Sequence, residues 1–349
     1  MPAPENMVAY LYKPGFDDLI RVDDYPVQKP GKGEVLCKVL TCGVCHSDVA
    51  ILNGWTLEDR SYVLGHEVCC VAIEFGKDVD SNIKLGQRYA VRLLNGCTHA
   101  LRPHQSAALQ GVGLGGPGGY ADYITVRDDL LVPVPENVPD KLASIAADAG
   151  TTAYNAVVNT GKVKSGDRVL IIGIGGLGHL AVQYAILQGA TVFVCDLKPE
   201  ARRLGLELGA VRAFSPVELS AAVSAADPFT VHVVVDFAAT AQSFHFGLGA
   251  LAGEGDHFPV DPKYVLVGVS AENFSFTPAD TLFSGIEIRA NLYGPRSATE
   301  AALELFANGS VKARAVAEPL ENVNKIVDEL RAFEVSGRKV VEISRQDYY

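Results

Sequence analysis

The sequence contains no uninterrupted run of about eighteen apolar residues, the length that a membrane-spanning helix requires. Residues 1–12 contain no basic segment followed by an apolar run, so we expect no secretory signal. Cysteine is sparse and odd in number, with seven among 349 residues, far below the density of a disulfide scaffold. These absences predict a cytoplasmic protein with reduced thiols and no membrane partner.

Positive charge is in deficit. The chain has 30 Lys and Arg residues against 41 Asp and Glu residues, and its formal net charge is −11. Such a chain is repelled by the phosphates of nucleic acids and of anionic membranes, so the sequence argues against both as partners. A small neutral or oxidised molecule is easier to accommodate as a substrate.

The length of 349 residues and a change in pattern along the chain predict two domains in an α/β protein. Up to about residue 140, short β-branched runs such as 34–40 and 68–75 are broken by Gly and Pro, which favours an irregular β-rich domain. Beyond that point, apolar strands alternate with helices, which predicts a doubly wound parallel sheet covered on both faces. These strands and helices are predicted at 168–172, 177–188, 191–194, 199–208, 231–236 and 264–269. Later helices near 299–308 and 321–335 and a last strand at 339–343 could complete either domain.

A glycine-rich turn follows the strand at 168–172 and leads directly into a helix. Its glycines are Gly173, Gly175, Gly176 and Gly178. Glycines here permit a tight turn, the approach of a pyrophosphate and close helix packing, while the helix N-terminus favours phosphate. The sequence therefore predicts a dinucleotide site, and a turn that only packs helix on strand is the alternative.

Asp196 ends the next strand, where a carboxylate can bind a ribose 2′-hydroxyl and repel a 2′-phosphate. We therefore expect NAD as the cofactor. Lys198, which we also count as a cofactor contact, and Arg202 are close enough to leave weak use of NADP open. The alternative for Asp196 is a solvated strand end.

Two short motifs in the β-rich part supply metal-binding groups: Cys45-His46-Ser47-Asp48 and Gly65-His66-Glu67. Cys45 and His66 are two ligands for a tetrahedral zinc, and a catalytic site needs three. Asp48 and Glu67 are carboxylates that can support these ligands from behind. Cys45 could instead pair with Cys42, but a structural zinc needs a second such pair, which the sequence lacks. For His66, the alternative is a core histidine.

These motifs and the glycine-rich turn together resemble the medium-chain zinc-dependent alcohol dehydrogenases, over nearly the whole chain. The resemblance implies a GroES-like catalytic domain at 1–153 and 294–349, and a Rossmann dinucleotide-binding domain at 154–293. It places the third zinc ligand just before an Ala/Gly-Thr-x-Tyr segment, where the family usually has cysteine and this chain has Asp148. Aspartate keeps the charge of a thiolate and offers an accepted oxygen ligand. Alternatively, Asp148 only caps the helix that follows.

The resemblance also assigns residues to the reaction. Ser47 would bind the alcohol and pass on its proton, although the histidine that often follows in this relay is Ala50 here. We count Ser47 and Glu67 as the catalytic candidates, with Asp48 orienting the ring of His66. Further residues expected at the cofactor are His46, Thr152, Leu177 and Arg338. Those expected to line the substrate pocket are Trp55 and Tyr120.

Each of these assignments has a plainer alternative. Ser47 could be a turn hydroxyl, and His46 and Arg338 could simply be exposed. Asp48 and Glu67 could be solvated charges. The packing alternative applies to Thr152, Leu177, Trp55 and Tyr120, since aromatic side chains in particular often belong to the core.

The segment 94–119 departs from the family, most of whose members hold a structural zinc there with four cysteines. Only Cys97 remains, with His99 and His104 nearby. We therefore expect one catalytic zinc per chain and no structural zinc, with an improvised site at these three residues as the alternative. That lobe usually supports subunit contacts; we nevertheless expect a homodimer or homotetramer.

The leading hypothesis is an NAD-dependent zinc alcohol dehydrogenase that transfers hydride between a secondary or aryl alcohol and the nicotinamide. A zinc-free medium-chain reductase of activated double bonds or quinones is the alternative within the superfamily, and such enzymes generally lack the pair Cys45 and His66. A non-catalytic NAD-binding protein is the alternative from another class.

Overall fold

The computed structural model describes residues 3–54, 60–94, 111–251, 262–270, 272–279 and 285–343. The chain divides into two compact units. The first unit comprises Met1–Thr151 and Pro295–Tyr349, and the second comprises Thr152–Gly294. The late helices and last strand lie in the first unit, the domain to which the resemblance assigns them.

Strands and helices are numbered along the chain. The strands are β1 Asn6–Tyr12, β2 Ile20–Pro26, β3 Glu34–Val44, β4 Tyr62–Val63, β5 Glu67–Phe75, β6 Arg88–Val91, β7 Tyr123–Arg127, β8 Leu131–Pro133, β9 Arg168–Ile172, β10 Thr191–Cys195, β11 Arg212–Phe214, β12 Val233–Asp236, β13 Lys263–Leu266, β14 Glu287–Ala290, β15 Ala315–Pro319 and β16 Arg338–Glu342. The helices are α1 His46–Leu52, α2 Asp140–Ile145, α3 Thr151–Tyr154, α4 Gly178–Leu187, α5 Pro199–Glu207, α6 Pro216–Val223, α7 Ala241–Leu251, α8 Arg296–Ala307 and α9 Val323–Arg331. Two π-helical segments, Ala146–Gly150 and Asn155–Thr160, flank α3. Among the described residues, no helix is long and apolar enough to cross a membrane.

The strands of the first unit pair antiparallel, except for β15 and β16, which are parallel. One sheet has the order β2-β1-β4, and a larger one has the order β15-β16-β3-β5-β6-β8, with β7 paired to β3. Apolar side chains of β3, β5, β6 and β7 form one buried cluster with side chains of α1 and α9. The amphipathic pattern of α9 explains its place, because Val323, Ile326, Val327 and Leu330 share one face and are buried.

The second unit contains one parallel sheet in the order β11-β10-β9-β12-β13-β14. Numbered within this unit, the order is 3-2-1-4-5-6, so the predicted doubly wound sheet is confirmed. The central strands β9 and β12 are nearly continuous in Val, Leu and Ile, as strands covered on both faces usually are. Because the order reverses between β9 and β12, the carboxyl ends of these two strands define the ligand crevice of such a sheet.

Candidate metal centre and dinucleotide site

Four buried side chains in the first unit form a compact group of metal-binding atoms. Cys45 follows β3 and caps α1, His66 and Glu67 lie at the start of β5, and Asp148 lies in the π-helical segment. One ligand atom from each lies within 4.8 Å of those of the other three. The predicted set of Cys45, His66 and Asp148 is thus brought together, and Glu67 joins it.

Asp148 does not begin a helix. It lies inside a continuous helical run, and the residue at the N-terminal boundary of its segment is Ile145 in αR conformation. Its Oδ2 atom is 3.6 Å from Nε2 of His66, and only 11% of its side chain is exposed. The capping alternative is therefore wrong. Asp148 lies in a π-helical turn. Such turns are rare overall, but where they occur they are often at functional sites.

Asp48 lies behind the group, as predicted. Its Oδ1 is 3.2 Å from Nδ1 of His66, which leaves Nε2 of that ring directed toward Asp148. Its Oδ2 accepts hydrogen bonds from the backbone N–H of Cys45 at 2.9 Å and from the hydroxyl of Tyr120 at 2.7 Å. Asp48 therefore connects the backbone of one candidate ligand to the ring of another.

The assignment of Tyr120 to the substrate pocket is wrong. The side chain has no exposed surface, and its ring packs against the backbone of Gly65 so closely that a Cβ at Gly65 would collide with it. A group without accessible surface cannot contact a substrate. Its hydroxyl also lies 3.2 Å from the carbonyl of Gly43, so Tyr120 supports Asp48 from within the core.

Arg338 lies at the start of β16 and forms a buried ion pair and hydrogen bond with Glu67. Its side chain is only 4% exposed, so the alternative of a surface arginine is wrong. Gly43 makes room for this pair, because a Cβ there would collide with the carboxylate of Glu67. The sequence contained no signal for this contact between residues so distant along the chain.

The four groups strongly perturb one another. Burial raises the pKa of Glu67 well above its usual value, although Arg338 opposes the shift. Burial disfavours the charged forms of the other three groups as well, but their neighbours outweigh it. Arg338 and His66 lower the pKa of Cys45, and His66 lowers the pKa of Asp148. Asp48 and Asp148 raise the pKa of His66 well above its usual value. The raised pKa values favour the protonated forms of Glu67 and His66, and a metal cation could take the place of these protons.

Ser47 and His46 occupy the first turn of α1. The Ser47 hydroxyl accepts a hydrogen bond from the Cys45 thiol at 3.6 Å, so it lies beside the metal-binding group. His46 is exposed, and its ring stacks on that of Phe333, with ring centroids 5.6 Å apart.

In the second unit, the glycine-rich turn connects β9 to α4. Gly173 has a positive φ of 84°, and a Cβ on Gly178 would collide with the carbonyl of Gly173. Around Gly175 the space is open, since a Cβ there would meet no atom within 4 Å. Gly176 and Leu177 are half-buried in the same turn. The turn is therefore closed on its helix side and open at Gly175.

The carboxylate of Asp196 ties the glycine-rich turn to the loop that follows β10. Oδ2 accepts the N–H of Ile174 at 2.7 Å, and Oδ1 accepts the N–H of Lys198 at 2.8 Å. Arg202 donates to the backbone carbonyls of Asp196 and Leu197, so it stabilises the same loop. Thr152 is buried and its carbonyl accepts a hydrogen bond from Asn291.

The sequence analysis missed Asp236, which ends β12 across the crevice from the glycine-rich turn. This buried carboxylate accepts hydrogen bonds from the N–H groups of Ala238 and Ala239 and from the hydroxyls of Ser243 and Tyr264. The turn that it stabilises lies against Gly173. Its place after a Val-rich strand was the available signal.

Some predictions fall on residues that the structure does not describe. Trp55 of the expected substrate pocket, and Cys97, His99 and His104 of the altered lobe, all lie outside the described ranges.

Comparisons with known proteins agree with this architecture. Residues 31–136 match the alcohol dehydrogenase GroES-like domain, and residues 176–308 match the zinc-binding dehydrogenase domain. An alcohol dehydrogenase of Geobacillus stearothermophilus is 32% identical over 337 residues, covering 94% of this chain and 97% of the relative. One from a Moraxella species is 30% identical over 341 residues, with the same coverage. The solved acetophenone reductase of Geotrichum candidum, in complex with NAD, is 28% identical with a TM-score of 0.84 and 98% coverage of both chains.

The chain therefore belongs to the medium-chain, zinc-binding alcohol dehydrogenase family. The predicted GroES-like and Rossmann folds are confirmed, and the relatives support an alcohol dehydrogenase or reductase activity.

Proposed function

We propose that this protein is an NAD-dependent zinc alcohol dehydrogenase that interconverts secondary or aryl alcohols with their carbonyl compounds. The observation that carries the proposal is the buried group of Cys45, His66, Glu67 and Asp148, whose ligand atoms lie within 4.8 Å of one another. The solved relative that reduces acetophenone and binds NAD supports the aryl substrate class and the cofactor.

The donor set fits zinc. Sulfur, imidazole nitrogen and carboxylate oxygen are the ligands that zinc takes in proteins, and three of them leave a position for substrate. Three acidic groups lie together out of water here, and Arg338 supplies one compensating charge. Such a group is costly without a further cation. Oε2 of Glu67 is buried and, among the described residues, has no hydrogen-bond partner, which suits a nearby cation.

The side chains of this protein would divide the work as follows. Cys45, His66 and Asp148 would hold the metal, which when bound acts as a Lewis acid toward the oxygen of the alcohol or carbonyl. Asp48 would fix the ring of His66, and Ser47 would bind the substrate hydroxyl and take its proton. Glu67, held by Arg338, would remain beside the metal as a carboxylate that compensates charge.

NAD is the proposed hydride carrier. Its pyrophosphate would bind at the glycine-rich turn, with the open space at Gly175 permitting close approach of the backbone. Asp196 would accept the adenine-ribose hydroxyl, which disfavours NADP. The remaining proposed contacts are His46, Thr152, Gly173, Gly176, Leu177, Gly178, Lys198 and Arg338. We also propose one zinc per chain, a cytoplasmic homodimer or homotetramer, and no structural zinc.

Metal analysis and activity assays together test the proposal. Purified protein should contain one zinc per chain and oxidise 1-phenylethanol with NAD, and a chelator should remove both zinc and activity. Asp148→Asn should lower the zinc content, whereas Asp140→Asn in the same helical run should not. Activity that persists without metal would favour the zinc-free reductase, and NADH binding without turnover of any alcohol or ketone would favour a non-catalytic protein.

A further inference from the structure

Phe333 adopts a backbone conformation that is costly for its residue type. Its φ is 56°, in the left-handed region that side chains other than Gly, Asn and Asp rarely occupy. The end of α9 imposes this conformation: the N–H of Phe333 bonds to the carbonyl of Leu330, and the N–H of Glu334 bonds to that of Glu329. Glycine is the usual residue at this position of a helix end.

The phenyl ring of Phe333 does not compensate by burial in the core. The residue is 66% exposed, so the hydrophobic effect recovers only part of what a buried phenylalanine gains. Its one ring contact among the described residues is with His46, at a centroid distance of 5.6 Å and an interplanar angle of 28°. A strained backbone and an exposed apolar ring are thus both retained where the ring covers one imidazole face.

His46 lies between the candidate zinc ligand Cys45 and the candidate proton acceptor Ser47. A histidine side chain loses conformational freedom when it binds a ligand. A neighbouring ring that already limits this freedom reduces the cost of binding. Strained residues that persist beside a reaction site are often part of how the site works.

We propose that Phe333 is a positioning residue for the cofactor: it holds the ring of His46 in the orientation that binds the pyrophosphate of NAD. The inference rests on the proposed function, because it takes the dinucleotide as the ligand of His46. It explains why a bulky aromatic residue stands where glycine would relieve strain.

Phe333→Leu is the decisive variant, since it keeps an apolar side chain and the backbone strain but removes the ring. Its dissociation constants for NADH and ADP-ribose should rise by about two- to tenfold, the range expected for restricting one side chain. Binding of AMP, which lacks the pyrophosphate, should not change. Phe333→Tyr keeps the ring and should bind all three ligands like the wild type.

A readout without any cofactor tests the stack itself. In proton NMR, the ring C–H signals of His46, assigned with His46→Asn, should be shifted by the Phe333 ring and should move in Phe333→Leu but not in Phe333→Tyr. Unchanged signals in Phe333→Leu would overturn the inference.

Phe333→Gly separates the effect of backbone strain from the effect on binding. It should raise the thermal midpoint by about 2 °C, because the strain is relieved, and it should weaken the binding of ADP-ribose, because the ring is lost. The matched control is Asp78→Gly, which also replaces a residue with positive φ (54°) in the first unit. Because aspartate tolerates this conformation, the thermal midpoint should change little, and the affinity for ADP-ribose should stay the same.

The possible failures are distinct. Equal affinity of wild type and Phe333→Leu for ADP-ribose would contradict the inference alone, as would an equal loss for AMP. Failure of the wild type to bind NADH would contradict the proposed function, and the inference with it.

Discussion

At the scale of single residues, the candidate metal centre depends on side chains that would never touch the metal. Asp48 receives hydrogen bonds from the Cys45 backbone and the Tyr120 hydroxyl and lies beside the ring of His66. Because Oδ2 accepts both hydrogen bonds, the carboxylate of Asp48 is held in one orientation that places Oδ1 3.2 Å from Nδ1 of His66. Such outer groups typically change metal affinity by about 10- to 100-fold when removed.

Tyr120→Phe should therefore weaken zinc binding by about tenfold, since it removes only one of the bonds to Asp48. Competition with a chromogenic chelator measures the affinity directly, independently of turnover. Tyr89→Phe is the matched control: Tyr89 is also buried in the first unit, but its hydroxyl bonds to Gln87 and Lys84. If both variants lose the same affinity, the effect comes from general destabilisation and the position of Tyr120 is not special.

At the scale of elements, two glycines in the turn from β9 to α4 have different roles. Gly178 lets the helix approach the carbonyl of Gly173, whereas Gly175 borders open space. Gly178→Ala should therefore lower the thermal midpoint. Gly175→Ala should fold like the wild type but bind NADH at least about tenfold more weakly, because a methyl group obstructs the pyrophosphate. Calorimetry and NADH fluorescence distinguish these outcomes; unchanged NADH binding by Gly175→Ala would place the dinucleotide elsewhere.

A cluster of charges connects β15, β16 and α9. Glu318 bonds to Lys339 at 2.5 Å and to Lys325 at 3.1 Å, and these contacts lower its pKa from 4.5 to about 2. Because the folded state lowers this pKa, the stabilisation is complete above pH 4.5 and is lost as the pH falls toward 2. Glu318→Gln should flatten the pH dependence of the thermal midpoint in this window. The exposed pair of Glu300 and Arg296 provides the control, since Glu300→Gln should change little.

The local sequence pattern was sufficient to predict the elements whose signals lie within a short stretch of chain. β9, α4, β10 and α5 were all predicted from strand, glycine and helix signals, because a buried parallel strand and an amphipathic helix are visible in a short window. By contrast, the ion pair of Arg338 with Glu67 and the hydrogen bond of Tyr120 with Asp48 join residues far apart along the chain. Only the folded sheet brings these residues together. The family resemblance therefore assigned Tyr120 to the substrate pocket, and no sequence signal identified Glu67 as the partner of Arg338.

At the scale of the whole molecule, each proposed ligand has its main binding groups within one unit. The group at Cys45, His66, Glu67 and Asp148 belongs to the first unit, while the glycine-rich turn and Asp196 belong to the second. This division follows the two family domains that match separate parts of the chain. Metal content and dinucleotide affinity should consequently respond to different substitutions.

Cys45→Ser and Gly175→Ala test this division together. Cys45→Ser should lose zinc, because a serine hydroxyl is a poor ligand at neutral pH, yet it should keep most of its affinity for NADH. Gly175→Ala should show the reverse pattern, with full zinc content and weak NADH binding. Both should lose turnover, since hydride transfer needs both ligands. Metal analysis and NADH titration measure both ligands, on samples that circular dichroism shows to be folded. If either variant loses both zinc and NADH binding, one site depends on the other, and the assignment of one ligand to each unit is wrong.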